Sequence, residues 1–478
     1  MKELNRKTVA TTQRPIHIMQ FGEGNFLRAF VDWMIDHANK KGVLNSGVVV
    51  VQPLEMGMVD MLKAQDNLYH VYLEGIKDKK MVKEVTLVES IQDALNPYSE
   101  YEKYQQYILS EELEFVVSNT TEAGIKYHDD EDIFAKPAKS FPGKVVALLH
   151  SRFEHFKGDP TKGLTFICCE LIENNATTLK EYVLRHAERC NLGTDFISWV
   201  KDSCTFCDTL VDRIVPGFPR ENIDEIKAEI GFNDNLVVKG EFYHVWAIAG
   251  GRDVQRRFPL DKAGLHVLFL DDIKSFRDKK VRILNGSHTA LVPVGLQLGF
   301  KTVKEAFDDK LAESFINKMV AEEVLPVIDE DQNELKRFSE SIIERFYNPA
   351  IKHYLETISL NSLSKWETRN FPTLKDCYVK KGKVASLTAF SLAALLTLYS
   401  GKSEITFIPN DTPEHVKFIQ TVWNSENILE TVSQILSNRD IWKENLMSIE
   451  PLAPTVAGFV QSILSVGMRK SLEAVLNS

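Results

Sequence analysis

The stretch IHIMQFGEGNFLRAFVDWM, residues 16–34, predicts a strand, a glycine turn and a helix in immediate succession. Ile16 to Phe21 is an apolar-biased run, which Gly22 and Gly24 interrupt. Asn25 then begins a helical spacing of apolar residues that ends before residue 42. A strand that passes through a glycine turn into a helix is typical of a nucleotide-binding sheet.

A second strand is predicted at Val48 to Val51, because four consecutive valines suit a parallel strand that is buried on both faces. Strand and helix patterns continue to alternate beyond it, which predicts a doubly wound sheet. We therefore assign residues 1–275 to a Rossmann-type dinucleotide-binding domain. The further strands are expected at His70–Glu74, Phe115–Ser118 and Leu164–Cys169, and the intervening helices at Glu100–Leu109 and Gly143–Phe156.

The pattern changes after about Asp272, where successive helices follow with few strand signals. The predicted fold class is α/β, with the N-terminal Rossmann-type sheet followed by a mainly α-helical C-terminal domain of residues 276–478. We expect this second domain to carry the substrate and catalytic groups. Its predicted helices include Val303–Val320, Glu334–Phe346, Val384–Tyr399 and His415–Leu436.

Composition excludes several classes of partner. A formal net charge of −10 without a basic run disfavours nucleic acid. The N-terminus lacks the apolar core of a secretory signal, so a cytoplasmic location is expected. The apolar run Val384–Tyr399 is shorter than the roughly 20 residues that cross a bilayer, so we expect a core helix and no membrane partner.

The six cysteines do not predict a disulfide framework or a metal site. Cys204 and Cys207 form a CxxC pair, but no second pair follows at zinc-binding spacing and there is no HExxH motif. Metal binding at this pair is the minor alternative to two reduced core thiols. We expect no metal.

Gly22 and Gly24 suit a turn in which the backbone approaches a pyrophosphate. Leu27 occupies the place of the third glycine of the usual motif, so a purely structural turn is the alternative. Glu55 is the nearest acid after the second strand and is the candidate for the ribose hydroxyls. No arginine is placed for a 2′-phosphate, which favours NAD over NADP.

The segment KVRILNGSH, residues 280–288, stands just after the expected domain boundary and contains Lys280, Asn285 and His288. Reduction of a ketone requires an acid and fixed hydrogen-bond donors for the developing alkoxide, and these three residue types supply both. The alternative is that Lys280 is a solvated cation beside Lys279 and Arg282.

This segment resembles the mannitol dehydrogenase family of polyol-specific long-chain dehydrogenases, whose members carry K-x4-N-x2-H. The turn GEGNFLRAF is similar to the family's G-x-G-x-F-x-R-A, which also explains the missing third glycine. The resemblance implies that Lys280 is the general acid/base and that Asn285 and His288 hold the reacting oxygen. It also implies NAD as cofactor, with contacts from Phe21, Gly22, Gly24, Asn25, Phe26, Arg28, Thr121 and Glu122.

The resemblance extends over most of the chain, through segments such as QDNLY, TTEAG and VDRIVP. Within the family, FGEGNFLRAFVDW, FPGK and SKWETRNFPTLKD look most like members that act on sugar acids, so a small-molecule sugar acid is the expected substrate. Asp212, in VDRIVP, matches the family aspartate that orients the pocket.

The chain departs from the family where polyol-oxidising members carry a CDN tripeptide, because Cys169, Glu170 and Leu171 stand there. Asn175 matches another family position and is a candidate for substrate binding. Lys365 and Arg369 are candidates for a substrate carboxylate, since that group prefers a guanidinium or an ammonium, although each could be a surface charge. An NAD-binding sensor without turnover is the alternative from another class.

Overall fold

The computed structural model describes residues 1–77, 80–121, 123–349, 353–423 and 427–478. The chain forms two compact units, one of residues 1–75 and 81–274, the other of residues 76–80 and 275–478. Among the described residues, helices that are both long and apolar enough for a membrane crossing are absent.

The first unit is built on a six-stranded parallel sheet in the order β3-β2-β1-β4-β5-β6. This order reverses direction between β1 and β4, which is the topological switch point of a Rossmann fold. The predicted Rossmann-type domain is thus confirmed. The strands are β1 Ile16–Phe21, β2 Gly47–Val51, β3 Ile91–Leu95, β4 Phe115–Ser118, β5 Thr165–Cys168 and β6 Thr205–Cys207.

Both faces of the sheet are buried, as the run of valines predicts. Alternate residues of β2 enter different cores: Val48 and Val50 belong to one, and Val49 and Val51 to the other. The helices of this unit are Asn25–Leu27, Trp33–Lys40, Val59–Ala64, Tyr101–Ile108, Phe141–His155, Asn175–Arg189, Thr194–Ser203, Ile223–Ile230 and Gly251–Arg257.

The predicted strand at His70–Glu74 does not join the Rossmann sheet. It is part of Tyr69–Lys77, which lies between Val238–Glu241 and Lys80–Val88 in a separate three-stranded sheet. A second small sheet contains Thr209–Asp212, Val245–Ala249 and Val267–Leu270, and Lys2–Glu3 pairs with Phe232–Asn233.

The second unit is largely helical among its described residues, which confirms the predicted fold class. Five of its helices are used below: α1 Lys274–Lys280, α2 Gly286–Gln297, α3 Gln332–Phe346, α4 Ser362–Arg369 and α5 Phe371–Lys381. The others are Val303–Asp308, Lys310–Met319, Leu355–Ile358, Ser386–Tyr399, Pro413–Val422, Ile428–Ser437, Arg439–Trp442, Leu452–Val466 and Met468–Leu476.

Two of these helices bear on the sequence predictions, of which one is wrong and one is confirmed. The single helix predicted at Val303–Val320 is wrong, because the Asp309 side chain accepts hydrogen bonds from Leu311 and Ala312 and so caps a new helix. The apolar helix Ser386–Tyr399 is buried along almost its whole length and is a core helix, as predicted.

Candidate active site

The predicted catalytic residues lie on a helix that changes its winding within the motif. Lys280 ends α1, residues Val281–Asn285 form a π-helical segment, and α2 begins at Gly286, whose N–H donates to the carbonyl of Val281. Residues five apart on a regular α-helix are about 140° apart around its axis. Wider i to i+5 turns reduce that angle, so the π segment turns Lys280 and Asn285 towards one side.

His288 lies in an aromatic and cationic setting one turn later. Its ring centroid is 4.5 Å from that of Phe346 and 4.8 Å from that of His353. Burial, above all, lowers the pKa of His288 well below its usual value, and the charges of His353, Arg345, Arg369 and Lys280 lower it further. The imidazole is therefore neutral at physiological pH and has one donor and one acceptor nitrogen.

Three buried polar atoms without a hydrogen-bond partner in the described part of the chain belong to this region. They are Asn285 Oδ1, His288 Nε2 and Asn370 Oδ1. Asn370 is attached to the same helix start, since its Nδ2 donates to the carbonyl of Gly286 at 3.1 Å. Because buried polar atoms are nearly always paired, this group of atoms is a candidate site for a polar ligand.

The cations on either side of Lys280 are paired with acids. Lys279 Nζ lies 2.5 Å from Glu330 Oε2, and Arg282 Nη1 lies 2.6 Å from Asp376 Oδ2. Lys280 is half-buried, and its charge contributes to the lowered pKa of His288. This position beside His288 favours the catalytic interpretation over that of a solvated surface lysine.

Arg369 and Lys365 lie one turn apart on α4 and have different surroundings. Arg369 Nη1 donates to Thr289 Oγ1 at 3.2 Å, which places the guanidinium beside the residue after His288. Burial lowers the pKa of Arg369. Lys365 Nζ donates to the carbonyl of Ile358 at 2.9 Å, and burial and then the charge of Arg369 lower its pKa. Arg369 is thus the better placed of the two for a ligand near His288.

The glycine turn after β1 depends on its two glycines for different reasons. Gly22 has φ +121°, and a Cβ there would lie 2.9 Å from the Asn119 carbonyl oxygen and 3.0 Å from Leu27 Cδ1. Only glycine fits such a position without strain. Around Gly24 a Cβ would meet nothing within 4 Å, so there is open space at this point of the turn. Leu27, in place of a third glycine, is buried beneath the turn.

Several residues predicted to contact the cofactor also make contacts that build the turn. Arg28 is buried, and its guanidinium donates to Glu23 O, Asn25 Oδ1 and Leu236 O. Phe21 is buried, with its ring centroid 5.2 Å from that of Phe141 and 6.3 Å from that of Tyr104. These contacts fix the positions of Arg28 and Phe21, and the predicted cofactor contacts of both residues stay predictions. Phe26 is half-buried and stacks on Phe30 at 4.9 Å.

The loop after β4 lies at the switch point, next to the glycine turn. The Asn119 N–H donates to the carbonyl of Phe21 at 3.1 Å, and Thr121 is exposed with φ +70°. Glu122 lies outside the described residues. Glu55 is exposed after β2, and its carbonyl accepts hydrogen bonds from Gln52 and Asn96.

Glu170 shapes this loop, a role that sequence reasoning missed. Its buried carboxylate accepts hydrogen bonds from Ser118 Oγ at 3.1 Å, Thr120 N at 2.9 Å and Thr120 Oγ1 at 3.0 Å. Burial raises the pKa of Glu170. The only available signal was an acid directly after a predicted buried strand.

Asn175 and Asp212 occupy different environments. Asn175 is buried, its Nδ2 donates to Cys168 O at 2.9 Å and Glu170 O at 3.0 Å, and its Oδ1 accepts from Thr209 N at 3.1 Å. These bonds join the ends of strands, and substrate binding by Asn175 stays a prediction. Asp212 is half-buried at the end of its strand, opposite Val245.

The CxxC cysteines are two core thiols. Both are buried, and burial raises the pKa of Cys204 to about 11 and that of Cys207 to about 12. Groups of three or more histidine, cysteine, aspartate or glutamate residues arranged to hold a metal ion are absent from the described part of the chain.

Together, the sheet order, the glycine turn at its switch point and a helical unit with lysine, asparagine and histidine on one helix define a Rossmann-type dehydrogenase. Two family models, the mannitol dehydrogenase Rossmann domain and the mannitol dehydrogenase C-terminal domain, match residues 16–262 and 272–464. The chain belongs to the mannitol dehydrogenase family.

Two relatives of similar length are altronate oxidoreductases. Altronate oxidoreductase of Phocaeicola vulgatus is 43% identical to this chain over 479 residues and covers 100% of both chains. Altronate oxidoreductase of Bacillus subtilis is 42% identical over 476 residues, which cover 99% of this chain and 98% of the relative.

Two solved structures share the fold. A substrate-free D-sorbitol dehydrogenase has a TM-score of 0.82 at 21% identity and covers 96% of this chain and 95% of its own. A ternary complex of Pseudomonas fluorescens mannitol 2-dehydrogenase with NAD and D-mannitol has a TM-score of 0.71 at 23% identity and covers 100% of both chains.

Proposed function

We propose that the protein is an NAD-dependent oxidoreductase that interconverts D-altronate and D-tagaturonate in galacturonate catabolism. The observation that carries this proposal is the 40–43% identity to altronate oxidoreductases along essentially the whole chain. Because both units are covered, the glycine turn and the catalytic segment are both included in the similarity.

The residues of the first unit fit a dinucleotide. Gly22 allows the tight turn, and the open space at Gly24 leaves room for a pyrophosphate to approach the backbone. Thr121 in the loop after β4, and Asn25 and Phe26 after the turn, are further proposed cofactor contacts. Glu122, which lies outside the described residues, is also a proposed contact. Glu55 is the proposed partner of the ribose hydroxyls.

The chemistry assigned to the second unit is proton transfer and stabilisation of the reacting oxygen. NAD, when bound, supplies hydride exchange with the carbon that bears this oxygen. During reduction the oxygen gains negative charge, and Lys280 donates the proton that completes the alcohol. Asn285 and His288 hold the oxygen by hydrogen bonds, and a neutral His288 can donate one from Nε2. In the oxidation of altronate, neutral Lys280 accepts the proton.

The cations near His288 support the proposal that the substrate is an anion. The charges of Arg345, Arg369 and Lys280 all act on the His288 ring, although the chain as a whole has a net charge of −10. A planar guanidinium binds a carboxylate through two parallel hydrogen bonds, so Arg369 is the proposed carboxylate partner. Lys365 adds a second cation one turn earlier, and Asp212 is proposed to orient the pocket.

The test is NADH oxidation followed optically, with tagaturonate, fructuronate and fructose supplied separately and NADPH run in parallel. We expect a preference for tagaturonate with NADH. A preference for fructuronate would indicate a mannonate oxidoreductase, and one for fructose a mannitol-type dehydrogenase; either result contradicts the proposed substrate. Binding of NADH without turnover of any ketone would indicate a sensor and contradict the enzymatic proposal.

A further inference from the structure

Asn370 joins two helices to the start of a third. It lies between α4 and α5, is only 3% exposed, and its backbone N–H donates to Trp366 O at 2.9 Å. Its Nδ2 donates to the carbonyl of Gly286 at 3.1 Å. Because a carbonyl oxygen can only accept, this bond identifies the nitrogen of the amide and leaves Oδ1 as an acceptor.

Asn370 Oδ1 is buried and has no hydrogen-bond partner among the described residues. It would lie 3.8 Å from a Cβ placed on Gly286, the residue that directly follows Asn285. The absence of a side chain at Gly286 also allows close approach of Arg369, since the same Cβ would lie 3.3 Å from the Arg369 carbonyl. The junction between α4 and α5 thus reaches the helix start that carries the catalytic motif.

A buried acceptor without a partner is costly unless a ligand supplies the donor. Asn285 Oδ1 and His288 Nε2, at the same helix start, also lack partners among the described residues. The N–H donors of Asn285 and His288 are already proposed to hold the reacting oxygen. Asn370 Oδ1 remains for a further group of the ligand. An amide oxygen that can only accept is matched by a hydroxyl hydrogen and not by a carboxylate.

We propose that Asn370 is a specificity-determining residue that accepts a hydrogen bond from one hydroxyl of the keto sugar acid. This inference rests on the proposed function. Leu171, which stands where polyol-oxidising relatives have a substrate-site asparagine, is 68% exposed and offers no polar group. A substrate epimer whose hydroxyl points elsewhere leaves Oδ1 unpaired, and such a loss discriminates strongly between substrates.

The test compares kcat/KM for tagaturonate and for its epimer fructuronate in wild type and in Asn370→Ala. We expect the tagaturonate-to-fructuronate ratio to fall on the order of tenfold, while NADH affinity stays unchanged. Asn370→Asp retains an oxygen acceptor but loses the Nδ2 donor. It therefore keeps most of the tagaturonate-to-fructuronate ratio, even if kcat/KM falls for both substrates. Asn370→Ser supplies a second truncation if the alanine variant does not fold.

Asn438→Ala is the matched control, because Asn438 Oδ1 also serves a helix start but accepts hydrogen bonds from Asp440 N and Ile441 N. It lowers the melting temperature and leaves the substrate ratio unchanged. Equal losses for both epimers in Asn370→Ala, with the ratio retained, would show a merely structural residue and overturn the inference. If the wild-type protein reduces neither keto acid, the proposed function fails first and the inference falls with it.

Discussion

Arg369 Nη1 donates a hydrogen bond to Thr289 Oγ1 at 3.2 Å, which places a guanidinium beside α2, one residue beyond His288. Burial lowers the pKa of Arg369, but its usual value is so high that the group stays charged. A permanent, partly desolvated cation at this point suits an anionic substrate better than a neutral polyol.

Replacement Arg369→Ala tests that relationship. Loss of a charge-assisted contact should lower kcat/KM for tagaturonate roughly 10- to 100-fold and affect the neutral ketone fructose far less. Steady-state kinetics with both ketones measure the difference. The matched control is Arg282→Ala, which removes a guanidinium that is paired with Asp376. Equal losses for both ketones would refute carboxylate recognition by Arg369.

Lys280→Ala tests the proton transfer. Without a group that can protonate the alkoxide, turnover should fall by about 10²- to 10⁴-fold, while NADH binding followed by fluorescence is retained. Lys279→Ala is the control on the adjacent residue, whose ammonium is paired with Glu330, and it should keep most of the activity. Unchanged turnover in Lys280→Ala would rule out the assigned mechanism.

Gly22→Ala and Gly24→Ala should behave differently. The first places a Cβ 2.9 Å from a carbonyl oxygen in a backbone of φ +121°, so the free energy of unfolding should drop by about 1–3 kcal/mol. The second meets nothing within 4 Å and should leave stability unchanged, while it weakens NADH binding by narrowing the approach to the turn. Urea unfolding and NADH titration measure the two effects. A stable Gly22→Ala protein, or undiminished NADH binding by Gly24→Ala, would contradict these roles.

Asp32 predicts a pH dependence of stability. It is fully buried, and burial raises its pKa from 3.8 to about 7. Between these values the folded state binds a proton that the unfolded state does not, so this group favours folding at low pH and its contribution is lost as pH rises towards 7. Asp32→Asn should remove this dependence of the free energy of unfolding on pH. The variant should therefore become more stable relative to wild type as the pH rises. Urea unfolding of both proteins from pH 5 to 8 measures this difference. If the free energy of unfolding of wild type and variant changes with pH in parallel, the prediction is contradicted.

Much of the sheet was predictable because its signals are local. The bounds of β1 and β4 agree with the predicted runs, since each is a short apolar-biased segment next to a turn. β3 was missed because polar residues interrupt it, and β6 because it has only three residues. Tyr69–Lys77 was placed in the wrong sheet, because a strand pattern does not identify its partner.

By itself, the sequence determined the order of strands and helices at the glycine turn, the helical character of the second half and the motif of Lys280, Asn285 and His288. These are periodicities and spacings within a few turns of chain. Only the tertiary structure decided that Arg28 is enclosed by backbone acceptors and that Asn370 reaches Gly286, 84 residues away. Such contacts depend on how distant segments pack, and no local pattern of residues encodes which buried polar atom is left for a ligand.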